Sequence, residues 1–286
     1  MPEVCEVALT SHILMHHLRG KTITEIKTYN PYNKLTGLKT FNDMLPLKVK
    51  NIKSKGKFLW FVFNSIKASA LEKIYLMNGF GLEGRWSLTK PPHPIIKMTT
   101  SKGLVIWFGD PRPFGFLYFT TNRDDVVKYV RGLAQDALKT KSLDLSKIRK
   151  YKRKIVTVLM DQKAVVSGIG NYLVAEILYK AKISPHQVCS KMSDEQIKKL
   201  TGAIKYLTKI CYQDNHTGYM ENLEDQQKVI RKKVYHPEIK LKEKTFQFKV
   251  YGIRKGLNPD GFTVKKENII GKRTTYWVPE VQLILN

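Results

Sequence analysis

The opening residues, Met1-Pro2-Glu3-Val4-Cys5-Glu6, hold the most reactive arrangement in the chain. Loss of Met1 would make Pro2 the α-amine, and a secondary one. Such a nitrogen can attack C1′ of a sugar and form an iminium, as lysine amines do with carbonyls. An unperturbed α-amine titrates near ~8, so a working fraction is neutral at physiological pH. Glu3 and Glu6 place carboxylates beside it for orientation or proton transfer. A helix is expected directly behind. Pro suits a first helical position, and Val4, Val7, Ala8, Leu14, Met15 and Leu18 recur at helical spacing before Gly20. An ordinary N-terminal helix favours Pro and Glu at the same places, so the rest of the chain must decide.

Two further stretches could handle phosphate. Gly168-Ile169-Gly170-Asn171 lies between two helical patterns. Its glycines leave backbone N–H groups bare, Asn171 can cap the next helix, and amides converging at a helix start bind anions. Lys55-Gly56-Lys57 falls at a strand-to-strand turn and presents Lys57 as a point charge. Each is also an ordinary structural turn. His12, His16 and His17 share a helix, but no carboxylate or cysteine partner stands out, and they read as packed or solvated. Cys5, Cys189 and Cys211 are odd in number and far apart, which excludes a disulfide framework and a four-cysteine zinc site.

The elements that must position these residues follow from pattern. The 286 residues carry 50 Lys and Arg against 24 Asp and Glu, a net charge of +26. That excess points to a polyanion, nucleic acid before an acidic membrane surface. No apolar run reaches membrane-spanning length, the longest being Phe58-Leu59-Trp60-Phe61-Val62-Phe63. The start lacks a secretory apolar stretch, so an intracellular protein is expected, in the nucleus or another DNA-containing compartment. Seven strands are expected at 23–29, 47–52, 58–63, 71–77, 95–99, 104–108 and 114–119, enough for two antiparallel sheets in a sandwich. Asn122 caps a helix over 124–131, and the polar stretch 134–146 reads as a hinge. This divides the chain into 1–133, 134–146 and 147–286.

The second half turns helical. Ile155, Val158 and Leu159, then Leu173, Ile177 and Leu178, mark two apolar faces around the glycine turn. Ser193 and Gln196 form a capping box for a third helix reaching about Cys211. The basic run 149–154 suits a solvated face, a localisation signal or a DNA-facing helix. After a charged segment at 221–233, residues 246–251 alternate as a strand that could pair with 274–278.

In order and spacing these residues resemble the formamidopyrimidine-DNA glycosylase / endonuclease VIII family of base-excision repair enzymes, over nearly the whole chain. The resemblance rests on Pro2-Glu3 with Glu6, and on Gly56-Lys57-Phe58-Leu59. It extends to Phe80-Gly81-Leu82-Glu83-Gly84 and Asp110-Pro111-Arg112-Pro113-Phe114-Gly115, then Asp161-Gln162, Gly168 to Tyr172, Glu176-Ile177-Leu178, Arg273-Thr274-Thr275-Tyr276 and Gln282. It implies an α+β fold: an N-terminal helix with a two-sheet antiparallel β-sandwich, then a helix–two-turn–helix domain carrying a C-terminal β-hairpin finger, at about 245–282. Where most members bind zinc through four cysteines, two corresponding positions are Val278 and Val281, and 252–262 contains no cysteine. This resembles the zinc-less finger of the animal (endonuclease VIII-like) and viral branch. Val4-Cys5 replaces the usual Gly-Pro, and Leu82 stands where Met is common.

The implied activity is that of a bifunctional DNA glycosylase and AP lyase. A base inside a duplex is out of reach and must be flipped out. Pro2 would attack C1′, Glu3 would move protons, Glu6 would assist, and β,δ-elimination would cut the strand. Lys57, Gly170, Asn171 and Arg273 would hold phosphates, with Lys57 also counted in the catalytic set. Leu82, Arg112 and Phe114 would fill the emptied space. Damaged DNA is the implied partner, with oxidised pyrimidines and ring-opened purines favoured. No membrane, metal or organic cofactor is implied, and a monomer is expected. The competing readings are a non-catalytic DNA- or RNA-binding protein with the same helix–two-turn–helix motif and, more weakly, a metal-dependent nuclease.

Overall fold

A computed structural model of the chain describes residues 2–29, 34–66, 73–214, 229–230 and 232–284. They form two compact units. Of the described residues, the first takes Pro2, 6–132 and 229–233, and the second takes 3–5, 133–214 and 234–284.

α1 (Val4–Leu18), which belongs to the first unit from Glu6 on, is buried on nearly every side: Val7, Leu9, Ile13, Leu14 and Leu18, and also Thr10 and Ser11, are at most 1% exposed. A helix with buried residues on several faces belongs in a protein interior. It ends where the sequence predicts. Gly20 adopts φ 74, and its N–H turns to the carbonyl of Val49. Over the described residues up to 132, nine strands and two helices follow: β1 (Thr22–Thr28), β2 (Leu35–Thr36), α2 (Leu38–Asp43), β3 (Leu47–Lys55), β4 (Phe58–Ser65), β5 (Lys73–Gly79), β6 (Arg85–Ser87), β7 (Pro94–Thr100), β8 (Val105–Gly109), β9 (Phe116–Thr120) and α3 (Arg123–Gly132).

All nine strands belong to one hydrogen-bonded network, in the order β2-β9-β5-β4-β3-β1-β7-β8-β6. The joint between its halves is narrow. β1 meets β3 only at Thr22↔Lys48 and Ile23↔Leu47, while it pairs with β7 along its length. The two layers of the sandwich share one core. Ile26, Met98, Ile106 and Phe108 come from one side, and Phe61, Phe63, Leu76 and Phe119 from the other. Each such side chain contributes roughly 1.5–3 kcal/mol by leaving water. All seven expected strands are present, although residues 71 and 72 of the fourth lie outside the described residues. β2, β6 and α2 were not expected, because two, three and six residues are too short to show a period. Asn122 caps α3 as predicted, its Oδ1 accepting the Asp124 N–H at 2.9 Å.

The second unit contains β10 (Gln135–Asp136), a 3-10 turn (Ser146–Lys150), α4 (Ile155–Met160), β11 (Val166–Ser167), α5 (Asn171–Ala181), a second 3-10 turn (Cys189–Lys191), α6 (Asp194–Asp214), β12 (Lys265–Ile270) and β13 (Arg273–Trp277). Residues 134–146, expected as a hinge, are packed into this unit. Ala137, Leu138, Leu143 and Leu145 are buried, β10 pairs in parallel with β11, and the Asp136 carboxylate accepts the N–H groups of Leu138 and Lys139. Polar composition concealed these anchoring bonds. The capping box forms in both directions: Gln196 N–H donates to Ser193 Oγ at 3.1 Å and Ser193 N–H to Gln196 Oε1 at 3.0 Å. The basic run 149–154 is not an α-helix. Arg149 pairs with Asp194 and Arg153 with Asp161. Most of the charged segment 221–233 lies outside the described residues.

One expected pairing is corrected. β13 pairs with β12, and 246–251 is not a strand. The N–H groups of Lys249, Val250 and Tyr251 go instead to the buried carboxylate of Glu176 on α5, at 2.7–2.9 Å. The alternation reflects an aromatic cluster, in which Phe246, Phe248 and Tyr251 all pack on Tyr172.

Candidate active site

The N-terminal residues are pinned by bonds that span the sequence. Glu3 is 1% exposed. Its Oε2 accepts the Gly170 N–H at 2.5 Å and the Leu173 N–H at 3.4 Å, and its Oε1 accepts the Tyr172 N–H at 3.0 Å. These donors belong to the start of α5, where unpaired N–H groups and the helix dipole favour an anion. The next two residues are also tied: Val4 N–H donates to Gly168 O at 3.0 Å, and Cys5 Sγ to Thr208 O on α6 at 3.3 Å. Pro2 is buried, and Glu6 is 4% exposed in the first turn of α1.

This geometry revises the reading of the glycine turn. Of the turn amides expected to cradle phosphate, that of Gly170 goes to Glu3 and that of Gly168 to Gln162. Asn171 is the first helical residue, not the cap, and the cap position Gly170 has no side chain to bond. Asn171 Nδ2 instead donates to Thr274 O at 3.1 Å, which brings its side chain to the residue after Arg273. Tyr251 also hydrogen-bonds the Asn171 side chain. Burial pushes the Tyr251 phenol above its ordinary value, and the Asn171 bond acts the other way. Arg273 is exposed at the start of β13, beside the left-handed Gly271 of the hairpin turn. A residue given no role by sequence reasoning, Gln162, fixes the turn itself. Its Oε1 accepts the Gly168 N–H at 2.7 Å, and its Nε2 donates to Ile169 O at 2.9 Å. Only the motif pair Asp161-Gln162 hinted at it.

The first unit carries the other predicted residues. Lys57 is half-buried on the β3–β4 turn, where Gly56 adopts φ 55, and the neighbouring Lys55 Nζ donates to Val130 O at 3.0 Å. The loops with Leu82, Arg112 and Phe114 are brought together. A Cβ at Gly81, which has φ 62, would sit 2.3 Å from Gly115 N, so only glycine allows the approach. Asp110 Oδ2 accepts the Gly115 N–H at 2.9 Å, and Arg112 pairs with Glu83 across the loops at 2.5 Å. Leu82 is half-buried and Phe114 is 59% exposed, too exposed for a core residue.

In the finger, Val278 is fully buried and Val281 packs beside it in a cluster with Ala175, Tyr179, Val250 and Val264. Among the described residues no group of three His, Cys, Asp or Glu could hold a metal ion.

The chain matches three family descriptions in sequence. These are the formamidopyrimidine-DNA glycosylase N-terminal domain over residues 1–117, the formamidopyrimidine-DNA glycosylase H2TH domain over 133–219 and the formamidopyrimidine-DNA glycosylase C-terminal domain over 237–283. The formamidopyrimidine-DNA glycosylase of Corynebacterium glutamicum (strain R) is 31% identical over 219 residues, 72% of this chain and 76% of its own length. That of Wolbachia pipientis subsp. Culex pipiens (strain wPip) is 32% identical over 213 residues, again 72% and 76%. The chain belongs to the formamidopyrimidine-DNA glycosylase family.

It is a DNA glycosylase of base excision repair with the AP lyase activity typical of that family. Solved structures agree on the fold. MutM (Fpg) of Thermus thermophilus superposes with a TM-score of 0.75 at 20% identity over 98% of both chains. Lactococcus lactis Fpg does so at 0.77 and 21%, over 98% of this chain and 99% of its own. The H2TH domain matched over 133–219 contains α4, the Gln162-held turn, α5 and α6. No described helix is long and apolar enough to cross a membrane.

Proposed function

We propose that this glycosylase works through Pro2 once Met1 is removed. The Pro2 nitrogen attacks C1′ of the damaged nucleotide, the C1′–base bond breaks, and the sugar ring opens to a Schiff base. Glu3 manages the protons, and Glu6 assists it. The observation that carries this reading is the Glu3 carboxylate, fixed by three amides at the start of α5 and covalently next to Pro2. A group held this way moves little between states, which suits a proton-transfer residue. The Schiff base then acidifies C2′, and β and δ elimination cut the strand. Lys57, the Asn171 side chain and Arg273 bind phosphates, which position the DNA without reading its sequence. With its N–H directed to Glu3, Gly170 contributes through the turn it allows. Leu82, Arg112 and Phe114 occupy the space left by the flipped nucleotide, after Arg112 leaves Glu83.

The finger is assigned to the zinc-less branch, because Val278 and Val281 lie in an apolar cluster where most members have cysteines. Oxidised pyrimidines and ring-opened purines are the proposed lesions. The Lactococcus lactis relatives were solved with an oxidised-pyrimidine DNA and with a Fapy-dG DNA, which supports the same classes here. The enzyme acts as a monomer on damaged DNA, wherever the cell keeps it.

Borohydride trapping on abasic or oxidised-pyrimidine duplex tests the nucleophile. Wild type gives a covalent adduct mapped to Pro2, and Pro2→Gly or a retained Met1 gives none. An adduct of equal yield from Pro2→Gly would assign the attack to a lysine. No adduct from wild type would leave Pro2 without its role.

A further inference from the structure

At the opposite end of α5 from Asn171, roughly 13 Å along the helix axis at 1.5 Å per residue, the second unit carries a half-open cavity of about 700 Å³. That volume lies in the range of small-molecule sites. Its walls are the last turns of α5, the middle of α6, residues 243–249 and the finger loops. No step of base excision uses them.

The charges in the cavity do not balance. Of its carboxylates, Glu176 already accepts three backbone N–H groups, and Asp260 is paired with Lys249 Nζ and with the Tyr179 hydroxyl, both at 2.8 Å. Only Glu243 remains, against Lys180, Lys182 and Lys244. None of these three lysines forms an ion pair with a described carboxylate. The Lys180 ammonium is held 3.7 Å from the centre of the Tyr206 ring, and burial lowers its pKa. A cation placed on an aromatic face is oriented without being neutralised. Phe246 and Phe262 supply flat apolar wall, and Phe262 remains 36% exposed. A ligand matched to these walls carries an anionic group and a planar ring.

We propose that this cavity binds a nucleoside phosphate, with its phosphate on Lys180, Lys182 and Lys244 and its base against Phe246 and Phe262. A free mononucleotide and an unpaired nucleotide of a DNA strand share that chemistry. An acidic peptide would satisfy the lysines and leave the aromatic wall bare.

The test is photo-crosslinking of the full chain with 8-azido-dAMP, followed by peptide mapping. Labelling is expected on the peptides that hold 243–249, Tyr206 or Phe262. Unlabelled dAMP should compete, and deoxyadenosine at equal concentration should not. Lys180→Ala combined with Phe262→Ala should cut labelling at least tenfold, while cleavage of an abasic duplex stays within twofold of wild type. A single-stranded oligonucleotide blocked at both ends then separates the sources. Competition matching dAMP assigns the site to a DNA strand, and no competition assigns it to free nucleotide. Labelling spread evenly over the basic surface, labelling unchanged in the double variant, or equal competition by deoxyadenosine or by an acidic peptide would overturn the proposal.

Discussion

Glu3 is 1% exposed and bonded to three amides at the start of α5, whereas Phe114 is 59% exposed and Arg112 reaches a surface partner, Glu83. Both regions are proposed to touch the same damaged nucleotide, yet they are built in opposite ways. The first is over-determined: Val4, Cys5 and Glu3 each bond to a residue more than 160 positions away. The second has a fixed base, locked by Gly81 against Gly115 and by Asp110, with side chains above it that little restrains. A proton-transfer group must stay still within a fraction of an ångström. Side chains that enter a duplex must travel, and a surface ion pair contributes only about 0–1 kcal/mol against their leaving.

Substitutions can break this contrast, and the largest effect is expected at Glu3. Glu3→Gln keeps the shape but loses the proton-transfer group and weakens the charge-assisted bonds to α5. Base excision in single-turnover assays should fall by about 10²–10⁴-fold, while elimination at a preformed abasic site falls far less. An equal loss of both steps would mean that Glu3 is only an anchor. Glu176 offers the same kind of anchor away from the chemistry. Glu176→Ala leaves three N–H groups without their acceptor, that of Val250 fully buried, and urea unfolding should show a loss of about 1–3 kcal/mol. Single-turnover excision below the melting range should change much less than for Glu3→Gln.

The exposed loops should respond in the reverse sense. Phe114→Ala is expected to lower excision from duplex DNA roughly tenfold, with stability changed by less than about 0.5 kcal/mol. A large stability loss would return Phe114 to a packing role. The smallest effect belongs to Glu83→Ala. Freeing Arg112 should raise affinity for lesion duplex by about two- to threefold, in line with the modest worth of surface pairs, and added salt should erase the gain. Thiol labelling measures the buried side of the comparison directly. Cys5, Cys189 and Cys211 are all buried, and burial pushes the Cys189 thiol up to about 12. At pH 8 none should react in the native protein. Labelling of Cys5 ahead of Cys189 would show the Glu3 anchor opening on its own.

Local signals were legible where the bond partners lie close in sequence. The Ser193–Gln196 box, the Asn122 cap, the Gly20 stop and the strand alternation of Phe58–Ser65 are all decided within a few residues. The sequence also marked the turn at 168–171 but not the acceptors of its amides. A carboxylate 167 positions away takes that of Gly170, which no local pattern encodes, and Gln162 takes that of Gly168. The alternation at 246–251 misled for a related reason: aromatic packing on Tyr172 produces the same period as a strand, while the backbone bonds go to Glu176, at least 73 positions away. The stretch 134–146 looked like a linker because Asp136 and Gln135 are polar, although both serve as internal bond partners.

By itself the sequence determined the chemistry available: a proline positioned to become a secondary amine, carboxylates next to it, cations enough for a polyanion, and two valines where cysteines would bind zinc. Residue type and spacing suffice for that, because reactivity and net charge belong to side chains whatever their surroundings. Only the tertiary structure decided which donors each buried carboxylate accepts, and so which groups are fixed and which remain available to DNA. A buried carboxylate must find its partners wherever the fold brings N–H groups, and that distance in space bears no relation to distance along the chain.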